Sequence, residues 1–186
     1  MKREFKRTGS LIRMRLSDYE AGLLASLVEQ LVELIEADSA EPASSDPFEL
    51  WQAELETSEP LDRSDPVITR LFPDAYPDDP IASAEFRRLT QTRQRNDRRD
   101  HAEVVLRALE ECGGGARPVQ VQLADLDAWL KTLTALRLSL ASRLGIRTAD
   151  DVDDIEELGD DDPRSFVFQL YEWLAYLTES LLSMRP

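Results

Sequence analysis

The sequence is short of the residues on which several kinds of site depend, with one cysteine and one histidine among 186 residues. A single cysteine cannot close a disulfide within its own chain, and one cysteine with one histidine cannot supply a common zinc site. No apolar run approaches the roughly 20 residues of a membrane span, and the basic start of the chain is not followed by the apolar core of a signal peptide. We therefore expect a cytoplasmic protein without a metal, a cofactor or a membrane contact.

Basic residues are outnumbered, with 22 Lys and Arg against 37 Asp and Glu and a net charge of −15. Tight direct binding to nucleic acid is not expected, because phosphate binding draws its free energy from positive charge. The apolar share of 42% and the charged share of 32% are typical of a globular protein. The length predicts a single domain over residues 1–186.

Two short alternating segments predict strands, Leu11 to Leu16 and Val119 to Leu123. The first runs into Ser17-Asp18-Tyr19-Glu20, a capping-box pattern that predicts a helix from Ser17 to about Asp38. The second segment precedes a further amphipathic helix, with Asp125 as its expected cap. Since isolated strands are unstable, we expect the two to pair. Their shared pattern at an offset of 107 residues leaves open whether the halves arose by duplication.

Further helices are predicted from Pro80 to about Glu110 and from Pro163 towards the end of the chain. The first has no strongly apolar residue between Thr90 and His101, so this part is expected to be exposed. The second starts behind a capping Asp162 and is expected to bury, among others, Phe166. Together these features predict a mostly helical α+β fold with about four principal helices and a small two-stranded sheet.

Acidic segments over residues 39–80 and 147–162 are expected to be irregular. The first contains seven prolines, which exclude long helices, and the second is dominated by nine acidic residues from Asp150 to Asp162. Apolar clusters in the first segment predict two short docked helices, one with Phe48, Leu50, Trp51 and Leu55 and the other with Val67, Ile68, Leu71 and Phe72.

A group of arginines on the long predicted helix is the most unusual local feature. On a continuous helix they lie within about 120° of arc, which gives a positive stripe on a negative protein. The stripe could bind an acidic partner, or it could face the acidic segments of its own chain in exposed ion pairs. These candidate partner-binding residues are Arg87, Arg88, Arg95, Arg98 and Arg99.

The other candidate reactive or metal-binding residues have no recognisable partner residues in the sequence. Cys112 lies beside three glycines, where an accessible thiol could be oxidised or could pair with a second copy to give a homodimer. His101 could act as a general base, but no serine or cysteine nucleophile occurs in a recognisable motif. The acidic run at 150–162 lacks the glycine and the terminal glutamate of a calcium loop. No catalytic residues are therefore assigned, and we expect a protein that is not an enzyme.

Several segments resemble the actinobacterial family known as domain of unknown function 2017. They are LFPDAYPDDP at 71–80, EFRRLT at 85–90, AWL at 128–130, LRLSL at 136–140, DPR at 162–164, and YEWL at 171–174 with ESL at 179–181. One family member is described as an oxidation-sensing transcriptional regulator that works with a stress sigma factor through a cysteine pair near its N-terminus.

The resemblance implies a regulatory protein that binds a sigma factor or another RNA polymerase component. An adaptor or stability factor unrelated to transcription is the alternative. Disulfide sensing within the chain does not carry over, because residues 1–16 contain no cysteine and Cys112 is alone.

Overall fold

The computed structural model describes residues 5–36, 61–159 and 161–185. In these ranges the strands are β1 (Lys6–Thr8), β2 (Leu11–Met14) and β3 (Val119–Gln122). The helices are α1 (Asp18–Glu36), α2 (Pro66–Leu71), α3 (Pro80–Cys112), α4 (Leu126–Leu144), α5 (Ala149–Glu156) and α6 (Pro163–Leu182). Four of these six helices are long, so the predicted mostly helical α+β fold is confirmed.

The sheet is antiparallel with the order β1-β2-β3. Ile12 lies opposite Val121, which confirms the predicted pairing of the two alternating segments. Both side chains are buried, because one face of the sheet lies on the core. The sheet has a third strand that was not predicted: β1 pairs with β2, but its residues are all exposed and show no apolar alternation.

The predicted capping box opens α1. The Ser17 amide donates to Glu20 Oε2 over 2.6 Å, and the Glu20 amide donates to Ser17 Oγ over 3.2 Å. Two backbone donors that the first turn leaves without a helical partner are thus satisfied. The buried face of α1 then follows the predicted periodicity through Leu24, Val28 and Ile35.

Ser17→Ala is expected to lower the free energy of unfolding by about 1 kcal/mol, because the Glu20 amide loses its acceptor. Ser26→Ala is the matched control, since Ser26 is exposed within the same helix and alanine has the higher helix propensity. Urea denaturation of the three proteins measures the difference. If Ser17→Ala is as stable as Ser26→Ala, the cap does not contribute.

Helix α4 lies at the centre of the structure, where it packs against α1, α2, α3 and α6. Trp129 and Leu133 of α4 are buried to about 1% exposure or less, as are Leu174 and Leu181 of α6. Leu123–Asp125 form a turn of 3-10 helix that leads into α4. Asp125 occupies the N-cap position of α4 as predicted, but its side chain does not make the capping hydrogen bond that the prediction implied.

The acidic segment predicted to be irregular at 147–162 contains the helix α5, so that prediction is wrong over residues 149–156. Thr148 and Asp151 form a capping box, and Ile155 is buried against Leu144, Ile146 and Phe168. A single buried isoleucine among acidic residues gives no periodicity from which a helix could be predicted.

Helix α6 begins at Pro163 as predicted, with the Asp162 side chain accepting from the Arg164 amide over 2.9 Å. The prediction that Phe166 is buried is wrong, since its side chain is exposed and Phe168 is buried in its place. The first turns of α6 face the α5 cluster, which shifts the buried side of the helix.

Helix α2 confirms the docked helix predicted around Val67 and Ile68, which are both buried with Leu71. The docked helix predicted around Phe48 to Leu55 lies outside the described residues. The domain boundaries 1–186 remain a prediction.

Candidate interaction surface on helix α3

Helix α3 is continuous from Pro80 to Cys112 and is fixed at both ends. Asp79 Oδ1 accepts from the amides of Ile81 and Ala82 over 3.1 and 2.9 Å, and Gly113 ends the helix in the left-handed region with φ 60°. The C-terminal half contributes apolar residues to the core, whereas the buried residues of the first four turns are polar, Ser83 and Gln91.

Arg95 is one of the five candidate arginines, and it is buried. Its Nε donates to the carbonyl of Ile35 over 2.9 Å, in the last turn of α1. Carbonyls in that turn have no donor partner within their own helix, and a cation there also complements the helix dipole. The prediction that residues 90–101 are exposed is therefore wrong at Arg95 and at Gln91, which is buried as well.

Arg98 binds the end of a second helix. Its Nη2 donates to the carbonyl of Leu71, the last residue of α2, over 2.6 Å, and its guanidinium lies 4.4 Å from the centre of the Phe72 ring. Burial lowers the pKa of the Arg98 guanidinium, against the opposing effect of the Asp97 charge. Arg95 and Arg98 thus hold the C-terminal ends of α1 and α2 against α3.

Two further arginines are paired with acidic residues. Arg87 binds Asp74, which lies in the loop between α2 and α3. The Asp74 carboxylate is also 3.1 Å from Arg63, which precedes α2. Arg99 lies 3.2 Å from Asp100 and 3.6 Å from Glu103, both on its own helix. For Arg87 this is the pairing with an acidic segment that was one of the two interpretations of the stripe.

Arg88 differs from the other four, because it is exposed and makes no ion pair with the described part of the chain. Four large apolar side chains near it in sequence are exposed. Ile81 is 82% exposed and Leu89 69% exposed, and the Phe86 and Tyr76 rings meet edge to face with centres 6.2 Å apart. We call Tyr76, Ile81, Phe86, Arg88 and Leu89 the α3 patch.

The loop that carries Tyr76 is attached to α3 by a reciprocal pair of hydrogen bonds. Ser83 Oγ donates to the Tyr76 carbonyl over 2.7 Å and accepts from the Tyr76 amide over 3.1 Å. The patch therefore rests on a capped helix and a fixed loop. Its apolar members were missed from the sequence, although Phe86 and Leu89 are three residues apart on a helix that is otherwise polar there.

A model of the family described as domain of unknown function (DUF2017) matches residues 2–184. The chain belongs to this family. The match spans every element from β1 to α6 and includes the whole of α3. No curated protein and no solved structure matches the chain at a significant level.

Cys112 of this DUF2017 chain is buried, at 1% exposure, as the last residue of α3. The prediction of an accessible thiol is therefore wrong. The glycines after Cys112 turn the chain so that its carbonyl accepts from the Arg117 amide over 2.9 Å while its side chain packs in the main core.

The Cys112 thiol is expected to react with a disulfide reagent only as fast as the protein opens, because thiol chemistry needs access as well as thiolate. Ser26→Cys in a Cys112→Ser background is the control, since Ser26 is exposed. Absorbance of the released thiol measures both rates. Equal rates for native Cys112 and the Ser26→Cys thiol would contradict the burial.

His101 is half-buried and makes no hydrogen bond within the described residues.

Among the described residues no group of three or more acidic, histidine or cysteine side chains is placed to hold a metal ion. None of the described helices combines the length and the apolar character required to span a membrane.

Proposed function

We propose that this protein is a cytoplasmic regulatory protein, not an enzyme, that binds a protein partner through the α3 patch. A sigma factor or another RNA polymerase component is the partner we favour, because of the resemblance described from the sequence. The observation that supports binding at this place is the exposure of Ile81 and Leu89 beside Arg88, which forms no ion pair with the residues that the structure describes.

The composition of the α3 patch is that of the centre of a protein interface. Aromatic residues and arginine are enriched there, and clustered large apolar side chains on a surface commonly mark a contact. Covering a leucine or isoleucine fully contributes about 1.5–3 kcal/mol, so Ile81 and Leu89 together can supply a large part of a moderate affinity.

The partner is expected to present apolar and acidic groups together. The Arg88 guanidinium offers five donors to a carboxylate, and no acidic residue of the described chain occupies them. Arg95 and Arg98 are engaged with backbone carbonyls inside the protein, so binding rests on Arg88 and not on the whole stripe.

The patch is held in place before any partner arrives. Asp79 caps the helix, and Ser83 attaches the Tyr76 loop to it by hydrogen bonds. The backbone therefore has little conformational entropy left to lose on binding. Direct binding to duplex DNA is expected to be weak, since the net charge of −15 opposes the approach of phosphate.

Affinity capture from the native cell with the full chain tests the function, at low and at high salt. Leu89→Asp is expected to reduce recovery of the specific partner at least about tenfold, because a charge replaces an apolar contact. Leu182→Asp is the matched control, an exposed leucine on α6. Equal recovery with both variants would contradict binding at the α3 patch.

The identity of the captured protein decides between the two classes of function. A sigma factor or polymerase subunit that binds again when both proteins are purified supports the transcription role. A specific partner outside transcription, lost in Leu89→Asp, supports the adaptor alternative.

A further inference from the structure

A second surface feature lies away from the α3 patch, between α2 and the C-terminal end of α4. It is a cleft with a volume of about 510 Å³. Its lining includes three arginines and no acidic residue, on a protein whose net charge is −15. The polar groups of the cleft are Arg63, Arg70, Arg147, Ser64, Thr69 and Ser142.

The two walls of the cleft are joined by Asp65. One oxygen of its carboxylate accepts from the Val67 amide over 2.8 Å and caps α2, and the other accepts from Arg143 of α4 over 2.8 Å. The same carboxylate thus fixes the start of α2 against the end of α4, which sets the width of the cleft.

The chain turn after α4 brings Arg147 to the edge of the cleft. Gly145 adopts φ 77°, and the Ile146 amide donates back to the Ala141 carbonyl over 2.9 Å. Ile146 is buried by this turn, while Arg147 remains exposed. The Arg147 amide donates to Asp151 over 2.8 Å, which is the largest cause of the lowered pKa of that carboxyl group.

Two of the three arginines have no partner for their guanidinium groups among the described residues. Arg63 donates to the Phe72 carbonyl over 3.0 Å and lies 3.1 Å from Asp74. The exposed guanidiniums of Arg70 and Arg147 make no hydrogen bond or ion pair with the described residues. The C-terminal end of α4 opposes an anion with about half a negative charge, which the charges of Arg70 and Arg147 outweigh.

We propose that this cleft binds a small molecule that carries a phosphate group. Guanidinium matches phosphate through paired, parallel hydrogen bonds, and the Ser142 hydroxyl adds a shorter-range donor. The volume is that of a small-molecule pocket. Pro66, Pro73 and Ile146 provide apolar wall for the remainder of the ligand. The site does not depend on partner binding at the α3 patch.

Isothermal titration of the full chain with inorganic pyrophosphate, at low salt, tests this site. The double variant Arg70→Gln/Arg147→Gln is expected to weaken binding at least about tenfold, because charge-assisted hydrogen bonds to the anion are lost. Arg93→Gln is the matched control, since Arg93 is exposed on α3 and only 4.0 Å from Asp97 in a weak pair. All three substituted arginines are exposed, and thermal unfolding checks that the two variants remain folded.

Binding of pyrophosphate by the wild type and Arg93→Gln, with loss in the double variant, supports the proposal. It is overturned if no binding occurs at millimolar pyrophosphate or if all three proteins bind alike. Equal or tighter binding of a hexaglutamate peptide also overturns it, since the arginines then recognise an acidic peptide and not a phosphate group.

Discussion

Arg95→Met is expected to lower the free energy of unfolding by about 2–3 kcal/mol. The methionine side chain can fill much of the volume that Arg95 occupies, but it cannot donate to the Ile35 carbonyl at the end of α1. That carbonyl would then stay buried without its donor, and leaving a buried polar group unsatisfied costs more than a typical hydrogen bond contributes.

Arg93→Met provides the matched control for this loss. Arg93 lies two residues earlier on α3 with its side chain 88% exposed and 4.0 Å from Asp97. Exposed pairs of this kind contribute little, so the change is expected to stay within about 0.5 kcal/mol. Urea denaturation measures both variants. Similar losses in the two would show that Arg95 does not support the end of α1.

Gly115→Ala is expected to destabilise the protein by about 3 kcal/mol or more. Gly115 has φ 79°, and a Cβ atom there would lie 2.8 Å from the Leu16 carbonyl oxygen and 2.9 Å from the Asp18 nitrogen. Both contacts are with backbone at the start of α1, which the Ser17 capping box holds in place. Relief therefore requires the turn and the helix to separate.

Gly145→Ala separates this steric clash from the cost of the backbone conformation. Gly145 has nearly the same φ, 77°, but a Cβ atom there would meet nothing within 4 Å. Only the left-handed conformation then opposes alanine, at about 1–2 kcal/mol. Thermal and urea unfolding of both variants measure the difference, and equal losses would contradict a close approach at Gly115.

Local signals in the sequence were enough to place most helices. Ser17 with Glu20, Pro163 behind Asp162, and the glycines after Cys112 are caps whose geometry depends on neighbouring residues, and α1, α3 and α6 begin or end close to them. The pairing of β2 with β3, though not its register, followed from the instability of lone strands. Strand β1 lacks such a signal, because it is stabilised mainly by its pairing with β2. Helix α5 has one, the capping box of Thr148 and Asp151, which was missed because its buried Ile155 gives no apolar periodicity in an acidic segment.

Which of the α3 arginines are buried and which are exposed could not be predicted in the same way. A helical wheel places Arg88 and Arg95 near one another, but their environments depend on where other elements end. Arg95 is buried because the last turn of α1, 60 residues earlier, reaches it. Arg88 lies beyond that contact and stays exposed. Only the tertiary structure distinguishes an arginine that supports the fold, such as Arg95, from one that has no partner among the described residues, such as Arg88.

The affinity of the purified partner for Arg88→Glu, compared with Arg107→Glu, tests the central claim most directly. Arg107 is exposed on the same helix, 19 residues further on, which is about 28 Å away. Both variants change the net charge equally, so long-range electrostatics alone would affect them alike. We predict at least about a tenfold loss of affinity for Arg88→Glu and less than about twofold for Arg107→Glu. Equal losses, or no loss in either, would contradict binding at the α3 patch.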